Sequence, residues 1–289
     1  MRWCDGMNIG IVLSGGMAKG AYQIGALRAL KELVPMEDIK CISCASVGVL
    51  NGYAFAADEL DRAERMWKNI CSGDTRLLIS QILRSTLLQQ NICMLSENEK
   101  QLSCSFYAAL FDFNHRNIVY KDLSQVKTEQ IPAYLKASVA MPAYNRAVQL
   151  DHTQYFDGAM IDNIPVYPLL RHNLDYIICF YFDDTCYRFE NTMFDNRVIK
   201  VTFPSDSVLK QSLILQQANI DAMIRDGYER TIYLLRAVFA KGYDDLDYVY
   251  QTIRHLNRIS LDAKPRITGD LLVTNLNKLT QRLTKRKII

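Results

Sequence analysis

The first candidate for chemistry is Ser46, which stands between two apolar segments. The run 39–45 before it predicts a buried strand, and the apolar pattern from Val47 onward predicts a helix. A hydrolase presents a nucleophilic serine in this way, on a sharp turn between a strand and a helix and above the helix N-terminus. A serine at the start of a helix is also a common N-cap, so the motif alone leaves a structural role open.

A glycine-rich loop at residues 14–20 offers backbone N–H groups to an anion. It reads Ser-Gly-Gly-Met-Ala-Lys-Gly, and the helix expected after it would add positive potential. The Lys-Gly-Ala order at 19–21 lacks the Gly-Lys-Ser/Thr end of a P-loop, and the glycines do not follow the dinucleotide-binding spacing. The loop therefore favours a transient oxyanion formed during acyl transfer. A tight turn without a ligand is the alternative.

Asp157 is the candidate base for Ser46. It stands where the strand predicted over 153–156 meets a turn of small residues, and a carboxylate in that place is partly desolvated and rigidly held. An aspartate that only hydrogen-bonds to its own turn is the alternative. No convincing Ser-His-Asp motif contains any of the four histidines, which are His115, His152, His172 and His255. A two-residue Ser–Asp device is the more economical hypothesis.

The elements that must position these residues follow a strand–helix–strand–helix order along residues 8–71. That order predicts a parallel sheet with both faces covered, so we expect an α/β fold with three αβα layers and a mostly parallel central sheet. Further strands are predicted over 117–120, 146–150, 174–182 and 197–203, and a helix over 129–140.

The remainder of the chain predicts no second unit. From 207 to about 240 the pattern is helical, and we expect helices to continue to the C-terminus. Because repeats, linkers and low-complexity tracts are absent, we expect one domain over 1–289, with the motifs in a core of 8–205 and a helical extension over 206–289. The segment 74–98 follows no single period; we expect helices over the sheet's edge that form a lid, and completion of the core is the alternative.

Composition indicates a globular protein of a reducing compartment. Hydrophobic residues make up 49% of the 289 residues and charged residues 22%, and no apolar run is long enough to cross a bilayer. The N-terminal residues do not follow a signal-peptide pattern, so we expect a cytoplasmic protein whose eight cysteines are thiols. The Cys41-x-x-Cys44 pair has no second pair to complete a metal site.

The net charge of +3 is unevenly distributed. Residues 251–289 contain nine basic and two acidic side chains, a net charge of +7, which leaves −4 for the rest of the chain. A basic end of this kind is a candidate for peripheral contact with an anionic membrane surface. A solvated helix face is the alternative, and we do not expect a nucleic-acid partner.

Three motifs, taken in order, resemble the patatin-like phospholipases, a family of acyl hydrolases. Residues 14–25 resemble the family's oxyanion loop, 44–48 its nucleophile elbow, and 157–166 its Asp-Gly-Gly/Ala segment. The helix end at 136–142 also resembles the element that precedes that last segment. The order and separations agree across about residues 8–182.

The resemblance implies a Ser–Asp dyad on a three-layer α/β fold, with Ser46 as the nucleophile and Asp157 as the base. The N–H groups that would bind the oxyanion belong to Gly15, Gly16 and Met17. The supporting positions are Lys19, Gly20, Gly48 and Gly158. The family's substrates are phospholipids, lysophospholipids and other acyl esters, usually cleaved without calcium, so we expect a lipid ester substrate and neither a metal nor an organic cofactor.

Two positions depart from the family's pattern. Met17 replaces the usual third glycine of the loop, and Cys44 replaces the first glycine of Gly-x-Ser-x-Gly. The sequence therefore predicts a serine acyl hydrolase of lipid esters and leaves two alternatives. One is a catalytically weak relative that binds lipid or a partner, and the other is a short-chain esterase or thioesterase.

Overall fold

The computed structural model alternates strands and helices along the chain. It describes residues 6–70, 77–78, 85–97, 101–142, 144–182, 187–189, 192–203, 214–215, 217–259, 264–266 and 286–289. The strands are β1 (Ile9–Leu13), β2 (Ile39–Ala45), β3 (Leu77–Leu78), β4 (Ser105–Asp112), β5 (Asn117–Asp122), β6 (Val148–Leu150), β7 (Thr153–Asp157), β8 (Tyr176–Phe182), β9 (Tyr187–Phe189), β10 (Val198–Phe203), β11 (Ile214–Leu215), β12 (Lys264–Arg266) and β13 (Arg286–Ile288). The α-helices are α1 (Gly20–Leu33), α2 (Val47–Ala56), α3 (Leu60–Ile70), α4 (Thr86–Leu95), α5 (Ile131–Ser138), α6 (Thr192–Asp195), α7 (Gln217–Val238) and α8 (Leu246–Ile259).

The central sheet is mixed. Its strand order is β10-β8-β1-β2-β4-β5-β13, and the strands from β10 to β4 run parallel to their neighbours. Strands β5 and β7 both pair with β4 in the antiparallel sense, and β6 forms a hairpin with β7. The α/β class expected from the strand–helix order is confirmed.

Two strands end head to head along one edge of β4. On this edge β2 pairs with the first half of β4 and ends with Ala45 opposite Ala109. Strand β7 pairs with the next residues from the other direction and ends with Asp157 opposite Leu110. The other edge of β4 is occupied by β5. Two consecutive residues of β4 therefore bring Ser46, which follows β2, close to Asp157, which ends β7.

The sheet is buried on both faces. Strand β1 alternates between two apolar clusters, with Ile9, Ile11 and Leu13 on one side and Val12 on the other. Both sides exclude water, so β1 reads as a continuous apolar run in the sequence. The first face is covered by α1 to α5, α7 and α8, and the second by the segment 164–174 with short 3-10 turns.

Local signals explain the boundaries of the helices near the site. Helix α1 ends at Leu33 because Pro35 favours an extended Val34, which has φ −133° and ψ 125°. Helix α3 buries Ala63, Met66, Trp67 and Ile70, which recur at the three- and four-residue spacing of one helix face.

The C-terminal part differs from its helical prediction. Helices α7 and α8 lie where helices were expected, but β11, β12 and β13 are short strands. Strand β13 pairs with β5, so the end of the chain joins the central sheet. In the segment 74–98, residues 86–95 form α4 and 77–78 pair with β11. Residues 74–76, 79–84 and 98 lie outside the described residues, as do 260–263 and 267–285 of the basic end, and the lid stays a prediction.

Candidate active site

Ser46 occupies a strained turn between β2 and α2. Its backbone angles are φ 52° and ψ −134°, a combination that residues with a side chain rarely adopt. The carbonyl of Ser46 accepts the first helical hydrogen bond, from the N–H of Val49 at 2.8 Å. The Ser46 side chain makes no capping hydrogen bond. The Ser46 hydroxyl therefore does not act as an N-cap of α2.

The hydroxyl of Ser46 instead interacts with the carboxylate of Asp157, and this interaction lowers the pKa of that carboxyl. Asp157 is 2% exposed, and its backbone N–H donates to the carbonyl of Ala140 at 2.9 Å. Its Oδ1 also accepts a hydrogen bond from the N–H of Ala159 at 2.9 Å, so the turn interaction is present as well. The carboxylate of Asp157 thus accepts a hydrogen bond within its own turn and also interacts with Ser46.

Burial makes this carboxylate a stronger base than an exposed aspartate. Desolvation raises the pKa of Asp157 to about 6, although the hydrogen bonds from Ser46 and from the N–H of Ala159 act in the opposite direction. A group with this pKa is ionised at neutral pH and can still accept a proton readily. The site therefore holds Ser46 next to a carboxylate that is ionised at neutral pH and is a stronger base than an exposed aspartate.

The glycine-rich loop lies directly over Ser46. A Cβ on Gly15 would stand 2.7 Å from the Cβ of Ser46, so no side chain fits there. The side-chain amide of Asn163 donates to the carbonyl of Gly15 at 3.2 Å. The loop, the serine turn and the segment after Asp157 are therefore in mutual contact.

The two other loop positions differ in conformation. Gly16 has φ −165° and ψ 12°, and its α-carbon faces the ring of Phe182. Met17 has φ 52°, a left-handed conformation that glycine adopts without strain. The side chain of Met17 finds room by packing, partly buried, against the main apolar cluster.

The remaining predicted positions support the loop and the turn from behind. Lys19 is 9% exposed and holds its Nζ 5.8 Å from the ring centroid of Phe182. Gly20 faces the indole of Trp67, and Gly158 lies on the backbone of Ala109. A Cβ on Gly48 would stand 2.7 Å from the carbonyl oxygen of Ser14, so no side chain fits between α2 and the loop at this position.

Cys44 is accommodated by a second glycine. The thiol of Cys44 is fully buried beneath α2, and a Cβ on Gly52 would stand 2.5 Å from its Sγ. Burial holds the pKa of the Cys44 thiol well above its usual range, so it packs as a neutral group. Cys41 belongs to the apolar cluster on the opposite face of the sheet, which separates the two cysteines.

Each histidine has a place apart from the Ser46–Asp157 pair. His115 bonds to Asp112 at 2.8 Å, and His172 bonds to the hydroxyl of Tyr107 at 2.9 Å. His255 lies on α8. His152 lies in the hairpin turn before β7, five residues before Asp157. None of the hydrogen bonds described for these histidines involves Ser46 or Asp157, and the two-residue device stays a hypothesis.

Three polar residues near the site escaped the sequence analysis as functional positions. They are Asn163, which holds Gly15, and Gln23 and Asn51, which are fully buried. Gln23 and Asn51 interrupt the apolar faces of helices α1 and α2, and a buried amide in such a face is a readable signal. Asn163 gave no such signal, because it is exposed in a turn.

Two kinds of feature are absent from the described residues. No helix in the described ranges has both the length and the apolar character to span a bilayer. Within the same part of the chain, no three His, Cys, Asp or Glu side chains converge as metal ligands.

Comparisons with known proteins agree with the motifs. The family model described as patatin-like phospholipase matches residues 11–170, more than half of the chain. Lysophospholipase NTE1 of Cryptococcus neoformans var. neoformans serotype D, from strains JEC21 and B-3501A, is 29% identical over 196 residues. That match covers 61% of this chain and 11% of the relative, so the chain corresponds to a small part of that protein.

Similar solved structures have low sequence identity to this chain. VipD from Legionella pneumophila superposes with a TM-score of 0.50 at 11% identity, over 81% of this chain and 67% of VipD. ExoU, in its heterodimeric complex with SpcU from the type III secretion system of Pseudomonas aeruginosa, has a TM-score of 0.41 at 14% identity, over 88% of this chain and 59% of ExoU.

Proposed function

Because the chain belongs to the patatin-like phospholipase family, we propose that it is a serine acyl hydrolase acting on carboxylic esters of phospholipids or lysophospholipids. Family membership supports lipid ester hydrolysis in general. The observation that carries the finer proposal is that Ser46 and the buried carboxylate of Asp157 interact where two strands end side by side on β4.

The proposed reaction begins with proton transfer. Asp157 accepts the hydroxyl proton while Ser46 Oγ attacks the ester carbonyl, and the negative charge moves to the carbonyl oxygen. The N–H groups of Gly15, Gly16 and Met17 stabilise this oxyanion. Collapse of the tetrahedral intermediate breaks the ester bond, and Asp157 gives its proton to the departing alcohol.

The second half of the reaction releases the fatty acid. Water enters, gives a proton to Asp157 and attacks the acyl group on Ser46. Collapse of this second intermediate returns the proton to Ser46 Oγ. Ser46 and Asp157 thereby return to their initial protonation states.

An apolar rim beside the site supports a lipid substrate. Met160 and Ile161 follow the Asp157 turn directly, and their side chains are 52% and 47% exposed. Adjacent large apolar side chains next to a reactive pair suit an acyl chain better than a small polar ester. Contact of the basic end with an anionic membrane stays part of the proposal.

A labelling experiment tests the nucleophile. The purified protein is treated with a fluorophosphonate probe, and its hydrolysis of lysophosphatidylcholine is measured alongside. We expect labelling and hydrolysis by the wild type and neither by Ser46→Ala. Ser43→Ala is the matched control, because Ser43 lies in β2, the strand that ends just before Ser46, with a buried hydroxyl that has no hydrogen-bond partner. An unlabelled wild type would contradict the proposal and favour a binding role.

Chain length decides between the lipid hydrolase and the esterase. We expect hydrolysis rates of p-nitrophenyl esters to rise from short to long acyl chains, and to rise further when the substrate forms micelles. A preference for short soluble esters would favour the esterase or thioesterase.

A further inference from the structure

Two amides and an indole form a hydrogen-bonded chain inside the apolar core behind the site. The indole N–H of Trp67 donates to Asn51 Oδ1 at 3.0 Å. Asn51 Nδ2 donates to Gln23 Oε1 at 2.9 Å and to the carbonyl of Gly20 at 2.8 Å. Gln23 Nε2 donates to the carbonyl of Ser14 at 2.7 Å. Gln23 and Asn51 are completely buried, and Trp67 is 4% exposed.

These hydrogen bonds hold both ends of the glycine-rich loop. Ser14 is the loop's first residue and Gly20 its last, and each gives its carbonyl to one of the two amides. Asn51 itself belongs to α2, the helix whose first turn begins at Ser46. The loop and the serine turn are thus joined through side chains whose hydrogen bonds involve neither Ser46 nor Asp157.

The direction of every bond is determined by the indole. A tryptophan N–H can only donate, so the oxygen of the Asn51 amide must face Trp67. The Asn51 NH₂ group must then face Gly20 and Gln23, and the Gln23 NH₂ group must face Ser14. Buried amides that are fully satisfied hold one orientation, because any flip would leave polar atoms unpaired in the core.

We infer that Gln23 and Asn51 are positioning residues, which set the distance between the N–H groups of the loop and Ser46 Oγ. The inference rests on the proposed function. A positioning role predicts a loss of transition-state stabilisation with little change in substrate binding, because oxyanion donors act on the intermediate.

The first test removes the amides and keeps their volume. We expect Gln23→Met and Asn51→Leu to lower kcat by about 10- to 100-fold while KM changes by less than about twofold. Binding of a trifluoromethyl ketone analogue, which forms the oxyanion on Ser46, should weaken in parallel with kcat. Binding of a non-hydrolysable ether lipid should stay unchanged.

Asn257→Leu is the matched control. The half-buried side chain of Asn257 lies on α8 and donates to the carbonyl and to the carboxylate of Asp195 at 3.3 and 3.0 Å. The same substitution there removes a hydrogen-bonded amide outside the loop and the predicted lid. We expect a loss of thermal stability and a wild-type kcat.

A carboxyl at position 23 provides a signature that a merely structural role would not produce. In Gln23→Glu, the protonated carboxyl can still donate to the carbonyl of Ser14 and accept from Asn51. Ionisation removes that donor and repels the carbonyl. We therefore expect the ratio of variant to wild-type kcat to fall by about tenfold between about pH 5 and about pH 9, with the midpoint raised by burial.

The outcomes separate the two claims. If the wild type hydrolyses lipid and labels at Ser46 but Gln23→Met and Asn51→Leu keep its kcat, the positioning inference is overturned and the proposed function stands. The same holds if kcat falls no more than in Asn257→Leu, or if the ratio of Gln23→Glu to wild-type kcat does not change with pH. An inert wild type overturns the proposed function itself.

Discussion

The two strand ends that meet on β4 carry different kinds of strain. At the end of β2, Ser46 has an unfavourable backbone, with φ 52° and ψ −134°. At the end of β7, Asp157 has relaxed angles of φ −57° and ψ 122°, and its unfavourable feature is a buried negative charge. In the proposed function, one end uses backbone geometry to present a nucleophile, and the other uses desolvation to strengthen a base.

The difference shows which interactions hold each group in place. The backbone of Ser46 is held by close packing of α2 on β1, where Gly48 faces the carbonyl of Ser14. Asp157 is held by hydrogen bonds, from its N–H to Ala140 and from the N–H of Ala159 to its Oδ1. Substitutions at the first end should therefore act through packing and conformation, and those at the second through charge.

The largest expected effect is the loss of activity in Asp157→Asn. An amide cannot take the proton of Ser46, so we expect kcat to fall by about a thousandfold. Hydrolysis of lysophosphatidylcholine measures it, and Asp162→Asn is the control. Asp162 is also a buried aspartate of this segment, and its carboxylate accepts from the hydroxyl of Tyr120 at 2.6 Å. A loss of equal size in both variants would point to the segment's structure rather than to a base.

The same Asp157→Asn variant should be more stable than the wild type at neutral pH. The folded pKa of Asp157, about 6, lies above that of an exposed aspartate, so the unfolded chain ionises first and wild-type stability falls as pH rises from about 4 to about 6. We expect the variant to gain about 3 kcal/mol in unfolding free energy above this range and nothing below about pH 4. Urea unfolding at several pH values measures it. An equal difference at all pH values would contradict the electrostatic account.

Gly48→Ala should test the packing at the serine end. The new Cβ would press on the carbonyl oxygens of Leu13 and Ser14 at 2.8 and 2.7 Å, and backbone atoms cannot easily move away. We expect a loss of about 2 kcal/mol in unfolding free energy. Gly52→Ala in the same helix is the control, because it meets the side chain of Cys44 and should lose less. Thermal denaturation that ranks them in the reverse order would refute the packing argument.

The smallest effect should come from relief of the strained turn. Glycine tolerates φ 52° without a penalty, so we expect Ser46→Gly to be about 1 kcal/mol more stable than Ser46→Ala. The same pair of substitutions at Ser43 should give the opposite sign, since Ser43 lies within the regular strand β2. Equal stability of Ser46→Gly and Ser46→Ala would mean that the turn stores no strain.

The sequence predicted the serine end well because its signals are local. The strand over 39–45, the turn at Ser46 and the helix from Val47 lie where the apolar pattern placed them. Short-range patterns were sufficient there, since strand, turn and helix follow one another directly.

The meeting of Ser46 with Asp157 depends on β4, which the sequence did not reveal. Strand β4 reads Ser-Phe-Tyr-Ala-Ala-Leu-Phe-Asp, in which three aromatic residues favour a strand but two alanines and an aspartate disfavour one, so its local signal is mixed. Its alanines suit the close approach of neighbours, as where Gly158 lies on Ala109. Pairing across 47 residues of chain, from Leu110 to Asp157, is tertiary information. The strands β12 and β13 were missed for the same reason.

The central claim is that a buried Asp157 deprotonates Ser46, and the pH dependence of fluorophosphonate labelling tests it most directly. In the wild type we expect the labelling rate to rise about tenfold per pH unit below about pH 6 and to level off above it. In Asp157→Asn the rate should be low and the inflection near pH 6 absent. Labelling of Asp157→Asn at the wild-type rate, with the same inflection, would contradict the account.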